Sequence, residues 1–567
     1  MLFRSFDKRT VFYEGLNLAS GIEWGFGGVF VGAAPWLLHI PVKETANGPQ
    51  PAGEPVKLLE GFAWHDTHEM LNTFTWGPDG WLYGCHGVFT HSHVKVVGAP
   101  DSERQFLNAG VWRYQPVKKR FEVFAEGTSN PWGIDFNEYG HCFIEACVIP
   151  HLFHMIQGGR YQRQAGQHYA PTLEEAKRVA PAYFAQDFAP QKGQPENSYT
   201  FKDAKVQPIN PFIYDDIKTI ADHRHYLGAT PHGGNARSDA AGGGHAHAGL
   251  MCYLGGSWPA EYHGKLIIGN IHGQRLNMDV PVRDGSGYIG KHAPDFINFN
   301  DRWSQTLNQQ IDQDGNVFVI DWYDKQQCHN QGNPAVHDRS NGRIFKISYG
   351  EKKGTKIDLG KLSSPELSAT LRHANAWQAR HGARLLQERG PDKALTNELR
   401  EALRLASAGP TGATDGLPKT VTATPVQLRA LWALHATGGL DQDTALATLK
   451  HPGEHLRAWT IQLLCEDKNP GDAALKEFAR LAKEDPSPVV RLYLASACQR
   501  LTVAQRAPII EALLAHAEDA ADHNLPLMYW YATEPLVAAD PAKGALLLAK
   551  AKIPVLREYI TRRLTAK

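Results

Sequence analysis

The sequence predicts a multidomain chain: an all-β six-bladed propeller, its first blade missing, followed by an all-α HEAT-like solenoid. Three observations predict it. A strand–turn–strand unit closed by glycine recurs through residues 1–350. The steps between those glycines fit one four-stranded blade with its loops. Near residue 363 the apolar period changes from two to about 3.6. Composition divides at the same place, with 41 of the 53 Gly, 10 of the 14 Trp and 20 of the 27 His in residues 1–350.

The first unit is residues 20–24, Gly27-Gly28 and Val29-Phe30-Val31. The second is residues 72–76, Gly77-Pro78-Asp79-Gly80 and Trp81-Leu82-Tyr83. The third is residues 132–136, then a turn ending at Gly140, then His141-Cys142-Phe143. A fourth, looser at its start, is residues 250–253 and Gly264 before Lys265-Leu266-Ile267. The fifth is residues 308–312, Gln313-Asp314-Gly315 and Asn316-Val317-Phe318. Gly takes positive φ at little cost and Asp tolerates it, which suits tight hairpins. The closing glycines at 28, 80, 140, 264 and 315 are 52, 60, 124 and 51 residues apart. The long step predicts an insertion, placed at the polar stretch 160–245. Outer strands are expected at Val111-Trp112-Arg113-Tyr114 and at residues 342–347. After a linker at 351–362, residues 363–567 read as helical pairs. Segments 426–436, 456–464, 474–481 and 489–501 carry apolar residues near i, i+3, i+4 spacing. Asp485-Pro486-Ser487-Pro488 is the turn between two of them. Stacked pairs present faces on which another protein can dock.

Lys+Arg and Asp+Glu are both 59, a formal net charge of zero, which speaks against a partner that is a nucleic acid. No stretch approaches the roughly 18 apolar residues of a membrane span. The N-terminus carries no signal-peptide pattern. Leu2-Phe3-Arg4-Ser5 is what the end of a common sequencing adapter encodes, and predicts a fragment. Seven scattered Cys are not a disulfide framework. No C-x-x-C-H occurs, so no haem c is expected in this chain. Cys142, Cys147 and His151 have a metal-like spacing, although a buried thiol on a strand is the commoner arrangement.

Polar residues at equivalent ends of successive units should converge on the central channel mouth. On that logic His68 and His86 are candidate catalytic residues, and Asn130, Glu145, His247, His272, Trp303 and Asp321 are candidate substrate- or cofactor-binding residues. A neutral imidazole can take a proton from an alcohol, and it can equally ligate a metal. His245 and His247 form His-x-His, which in a strand sets both rings on one face as a metal chelate.

Four segments carry a resemblance: residues 68–84, Gly242-Gly243-Gly244-His245-Ala246-His247-Ala248-Gly249, Asp321-Trp322-Tyr323-Asp324, and residues 337–343. The chain resembles the bacterial membrane-bound dehydrogenase propeller family, itself distantly similar to quinoprotein glucose/sorbosone dehydrogenases. The resemblance implies an oxidoreductase acting on a sugar or other polyhydroxylated alcohol. It implies PQQ (pyrroloquinoline quinone) with Ca²⁺ as cofactor, and a cytochrome c electron acceptor on a domain absent here. It implies a periplasmic or cell-envelope location. His68 then matches the catalytic His that precedes a Gly-Pro-Asp turn, offset by one residue. Two departures stand out: Ser129 replaces the arginine of an Arg-Asn-Pro motif, and His272 falls near a lysine that helps hold the quinone. The alternative readings are a non-catalytic glycan- or protein-binding scaffold and a metal-dependent propeller hydrolase.

Overall fold

The computed structural model describes residues 10–64, 66–88, 90–147, 150–163, 168, 210–223, 246–301, 303–323, 342–350, 354–405 and 423–566. Each expected unit is an antiparallel hairpin. Ala19–Gly25 pairs with Gly28–Ala33, Asn72–Trp76 with Leu82–His86, and Pro131–Phe136 with Cys142–Ala146. His247–Cys252 pairs with Leu266–Asn270, and Thr306–Ile311 with Val317–Asp321. These hairpins open five sheets among the described residues. The innermost strand of each sheet lies against that of the next, from first to fifth. The sheets therefore fan around one axis as curled, propeller-like blades.

Local chemistry explains the turns. In the first hairpin Gly25 faces Gly28, and the two residues between them, Phe26 and Gly27, have φ of +53° and +70°. That is the primed turn whose twist matches the strands. The left-handed glycine is thus Gly27, whereas Gly28 begins the second strand. Two strands lace neighbouring sheets together. Ser92–Val96 leaves the second unit and pairs with Val56–Glu60 of the first sheet. Arg160–Arg163, expected to open the insertion, pairs in parallel with Arg120–Thr128 of the second sheet. Most of the remaining stretch 164–245 lies outside the described residues.

From Ser364 onward there are twelve α-helices among the described residues. Asp472–Glu484 buries Ala474, Phe478, Leu481 and Ala482, one stripe of an outer helix. Pro488–Cys498 is buried from Val489 to Cys498 and is an inner helix. The pairing repeats at side-chain level. Arg457 Nε is 2.7 Å from Asp485, and Arg491 Nε is 2.8 Å from Asp519, the partners standing 28 positions apart in both cases. No helix among the described residues is long and apolar enough to cross a membrane.

The helices cover the end of the sheets that carries the hairpin turns. One apolar core joins Trp81, Tyr83, Phe136 and Cys142 to Trp432, Trp459, Tyr493 and Trp530. Glu466 is its polar hub. It accepts from Trp81 Nε1 at 2.9 Å and Lys118 Nζ at 2.8 Å, and lies 2.9 Å from His435 Nε2. The helix Ala376–Arg389 crosses the axis itself. Arg380 donates to Asp135 at 2.7 Å, Arg384 to the Trp24 carbonyl at 2.9 Å, and Gln387 to the Gly80 carbonyl at 2.9 Å. A cavity beneath it is lined by Glu23, Thr75, Asp135, Leu250 and Gln309 from all five innermost strands, and by Trp377 and His381. One face of the helical layer, expected to receive other proteins, is therefore occupied by this chain's own sheets.

Candidate functional site

Among the described residues, the helical layer sits on the turn end of the axis rather than on the opposite end. Strand register brings the expected residues to that opposite end. Asn72 faces Cys85, Pro131 faces Ala146, His247 faces Asn270, and Thr306 faces Asp321. Hydrogen bonds then stitch the rim from sheet to sheet. Val88 N donates to Asn130 Oδ1 at 3.0 Å, Cys147 N to the Asn130 carbonyl at 2.8 Å, and His247 N to the Cys147 carbonyl at 2.9 Å.

The candidates differ in what they offer a ligand. His68 is the accessible one, its side chain 68% exposed. Its Nδ1 is 3.1 Å from Asp66 Oδ1, and its carbonyl accepts from Trp132 Nε1 at 2.7 Å. The bond to Asp66 favours the protonated ring and raises the His68 pKa above 6.5. Nε2 is the ring nitrogen left to face outward.

His86 is fully buried. Its Nε2 lies 2.8 Å from Ser92 Oγ and its Nδ1 3.1 Å from the Gly87 carbonyl, so the ring belongs to the sheet rather than to the surface of the mouth. Glu145 is also fully buried and accepts from Trp132 N at 3.2 Å. Burial raises its pKa well above 4.5, against backbone hydrogen bonds from Trp132 and Gly249. Burial thus favours its protonated form inside the rim. His272 is half-buried, its carbonyl accepting from Gln274 Nε2. Trp303 lies with its ring 5.7 Å from Tyr323. Asp321 is committed to an ion pair with Arg343 Nε at 2.7 Å, and Arg343 also donates to Asp301 at 2.7 Å. His245 lies outside the described residues, so the His-x-His pair is seen only through His247. Cys142 sits buried on its strand, and burial pushes its thiol pKa well up, which disfavours the thiolate a metal would need.

The sequence reading missed a cluster beside His247. The His247 ring stacks on His151 with centroids 5.1 Å apart. His151 Nε2 is 3.2 Å from Asp279 Oδ2, and His223 Nε2 is 3.1 Å from Asp279 Oδ1. His292 Nδ1 stands 3.7 Å from the same Oδ1. Asp279 is fully buried and His151 nearly so. The cluster lies where the third and fourth sheets meet. A usable signal existed: Asn277 and Asp279 alternate with the apolar Leu276, Met278 and Val280, which sets two polar side chains on one face of the strand.

A family model described as a domain of unknown function (DUF7133) matches residues 5–351. No curated protein matches the chain. A solved glucose dehydrogenase is similar at 12% identity and TM-score 0.29, over 60% of this chain and 99% of that one. The PQQ-bound form of an aldose sugar dehydrogenase from Streptomyces coelicolor is similar at 12% identity and TM-score 0.31, over 57% and 75%.

Proposed function

This chain belongs to the family of the domain of unknown function DUF7133, and we propose that it is an oxidoreductase that dehydrogenates a CH–OH group of a sugar or other polyol. The observation that carries this reading is His68, exposed on the end of the axis away from the helical layer and held by Asp66. An imidazole oriented through Nδ1 accepts the hydroxyl proton at Nε2 while the carbon-bound hydride passes to a separate two-electron acceptor, a co-substrate whose place the assay dye takes in the test below. Trp132 fixes the backbone of His68, and Trp303 offers an apolar face on which a sugar ring can stack. Residues 1–350 form the propeller in this reading, and residues 363–567 are its helical support.

The resemblance implies PQQ with Ca²⁺. A tricarboxylate needs cations to hold it. Among the described residues of the mouth, Arg343 is committed to Asp301 and Asp321. Arg163 donates to the Asn108 carbonyl at 2.8 Å and to Asn108 Oδ1 at 2.6 Å. So engaged, neither of these two arginines offers a ready partner for a quinone carboxylate.

The test is a dye-coupled assay of the full chain on a panel of sugars and polyols, with and without added PQQ and Ca²⁺. Turnover is expected, and His68→Gln should lower it by about 10²–10⁴-fold. Because the base works only when neutral, kcat/KM should rise with pH through a midpoint above 6.5. Asp66→Asn should move that midpoint down. Absence of turnover on every substrate, or full activity in His68→Gln, overturns the reading.

A further inference from the structure

We propose that His151, His223 and Asp279 form a binding site for one divalent transition-metal ion at the seam of the third and fourth sheets. The three residues come from separate pieces of chain. His151 precedes the strand Leu152–Met155, His223 follows the bridge between Ala221 and Gly290, and Asp279 lies within Arg275–Asp284. One ligand atom from each lies within 4.8 Å of the others.

Four features point to a metal. The two imidazoles approach different oxygens of one carboxylate, at 3.2 and 3.1 Å, so their donor atoms converge on a common point. That carboxylate is fully buried, where an anion is stable only if it is paired or coordinates a metal. His292 Nδ1, 3.7 Å from Asp279, is a fourth donor within reach. His247 stacks on His151 and holds the plane of that ring.

The donor set selects the ion. Two imidazoles and one carboxylate suit zinc, iron or cobalt rather than Ca²⁺ or Mg²⁺, which take oxygen ligands. Three protein ligands leave a fourth position, which His292 would complete in a closed site and a water would complete in an open one. The site uses neither His68 nor Asp66, so it stands or falls apart from the dehydrogenase reading.

The experiment uses the full chain, purified without chelator and without a polyhistidine tag. Elemental analysis should find about one transition-metal ion per chain. After chelation, cobalt(II) should restore a saturable visible absorption, and zinc should raise the Tm. Asp279→Asn and His223→Gln should each weaken the ion by at least about 10-fold. His39→Gln, in the first sheet, should leave it unchanged. Asp279 is fully buried, so if its variant does not fold, His223→Gln carries the test, its side chain being 16% exposed. Two results overturn the proposal: a wild-type chain with no bound ion and no saturable cobalt spectrum, or a His223→Gln chain that binds as tightly as wild type.

Discussion

Replacing Gly140 by Ala separates the cost of the turn from the cost of the helical layer resting on it. Gly140 has φ +74°, and a Cβ there would stand 2.6 Å from Trp432 Cζ2 and 2.7 Å from Trp459 Cζ2. Gly264 occupies the equivalent turn of the fourth sheet with φ +73°, yet a Cβ there meets nothing within 4 Å. Both substitutions incur the left-handed penalty of about 1 kcal/mol. Only Gly140→Ala adds overpacking, about 1–3 kcal/mol, because the two rings are wedged in the joint core. Gly140→Ala should therefore cost about 2–4 kcal/mol and Gly264→Ala about 1 kcal/mol. Urea unfolding followed by tryptophan fluorescence, to which Trp432 and Trp459 contribute among the chain's 14 Trp, reads the difference. A chain of this size need not unfold in one step, so the comparison is made on the transition that exposes those two rings. Equal destabilisation by the two variants would refute the claim that the helical layer bears on the turns.

Two further predictions concern buried carboxyls. Glu466→Gln should destabilise the chain by roughly 3 kcal/mol, since it removes the charge that Lys118 and His435 face. The Glu466 pKa is driven far below 4.5 by His435, Arg113 and Lys118, against the opposing effect of burial. Its stabilisation is therefore complete above pH 4.5 and fades as pH falls below that value, a fade that denaturant titrations from pH 5 downward should show and that Glu466→Gln should lack. Glu145 has the opposite sign. Its raised pKa means that the folded state holds a proton which the unfolded chain releases above pH 4.5, so stability declines as pH rises from there. Glu145→Gln should flatten that decline in melting curves between pH 5 and 8; an unchanged slope would contradict a neutral Glu145.

The sheets were legible because their signal is local. Gly80, Gly140, Gly264 and Gly315 have left-handed φ in turns that the alternating pattern located. Register then followed, since apolar alternation permits one pairing of each hairpin. The rim was legible in part for the same reason: Asn130 and His247 come to one end because they flank equivalent strands. What a side chain does there is decided by packing. His68 and His86 look alike in sequence, yet one is exposed beside Asp66 and the other is turned into the sheet toward Ser92. The cluster around Asp279 was hard to read because His151 and His223 reach it from segments distant along the chain, although His292 faces it across one hairpin. The docking of helices on turns was hidden too, because Trp432 and Trp459 read as ordinary core residues of a helical stack.

The helix Ala376–Arg389 across the axis has a consequence for traffic. A channel stopped at one end is a blind well, so arrivals and departures share a single doorway. Product has to clear the rim before the next molecule can enter. Catalysis at such a rim should therefore show competitive inhibition by product. Among the described residues, Arg380 and Arg384 tie that helix to the innermost strands across the axis, so a second reactant of the proposed reaction would queue at the same opening or meet the first from above.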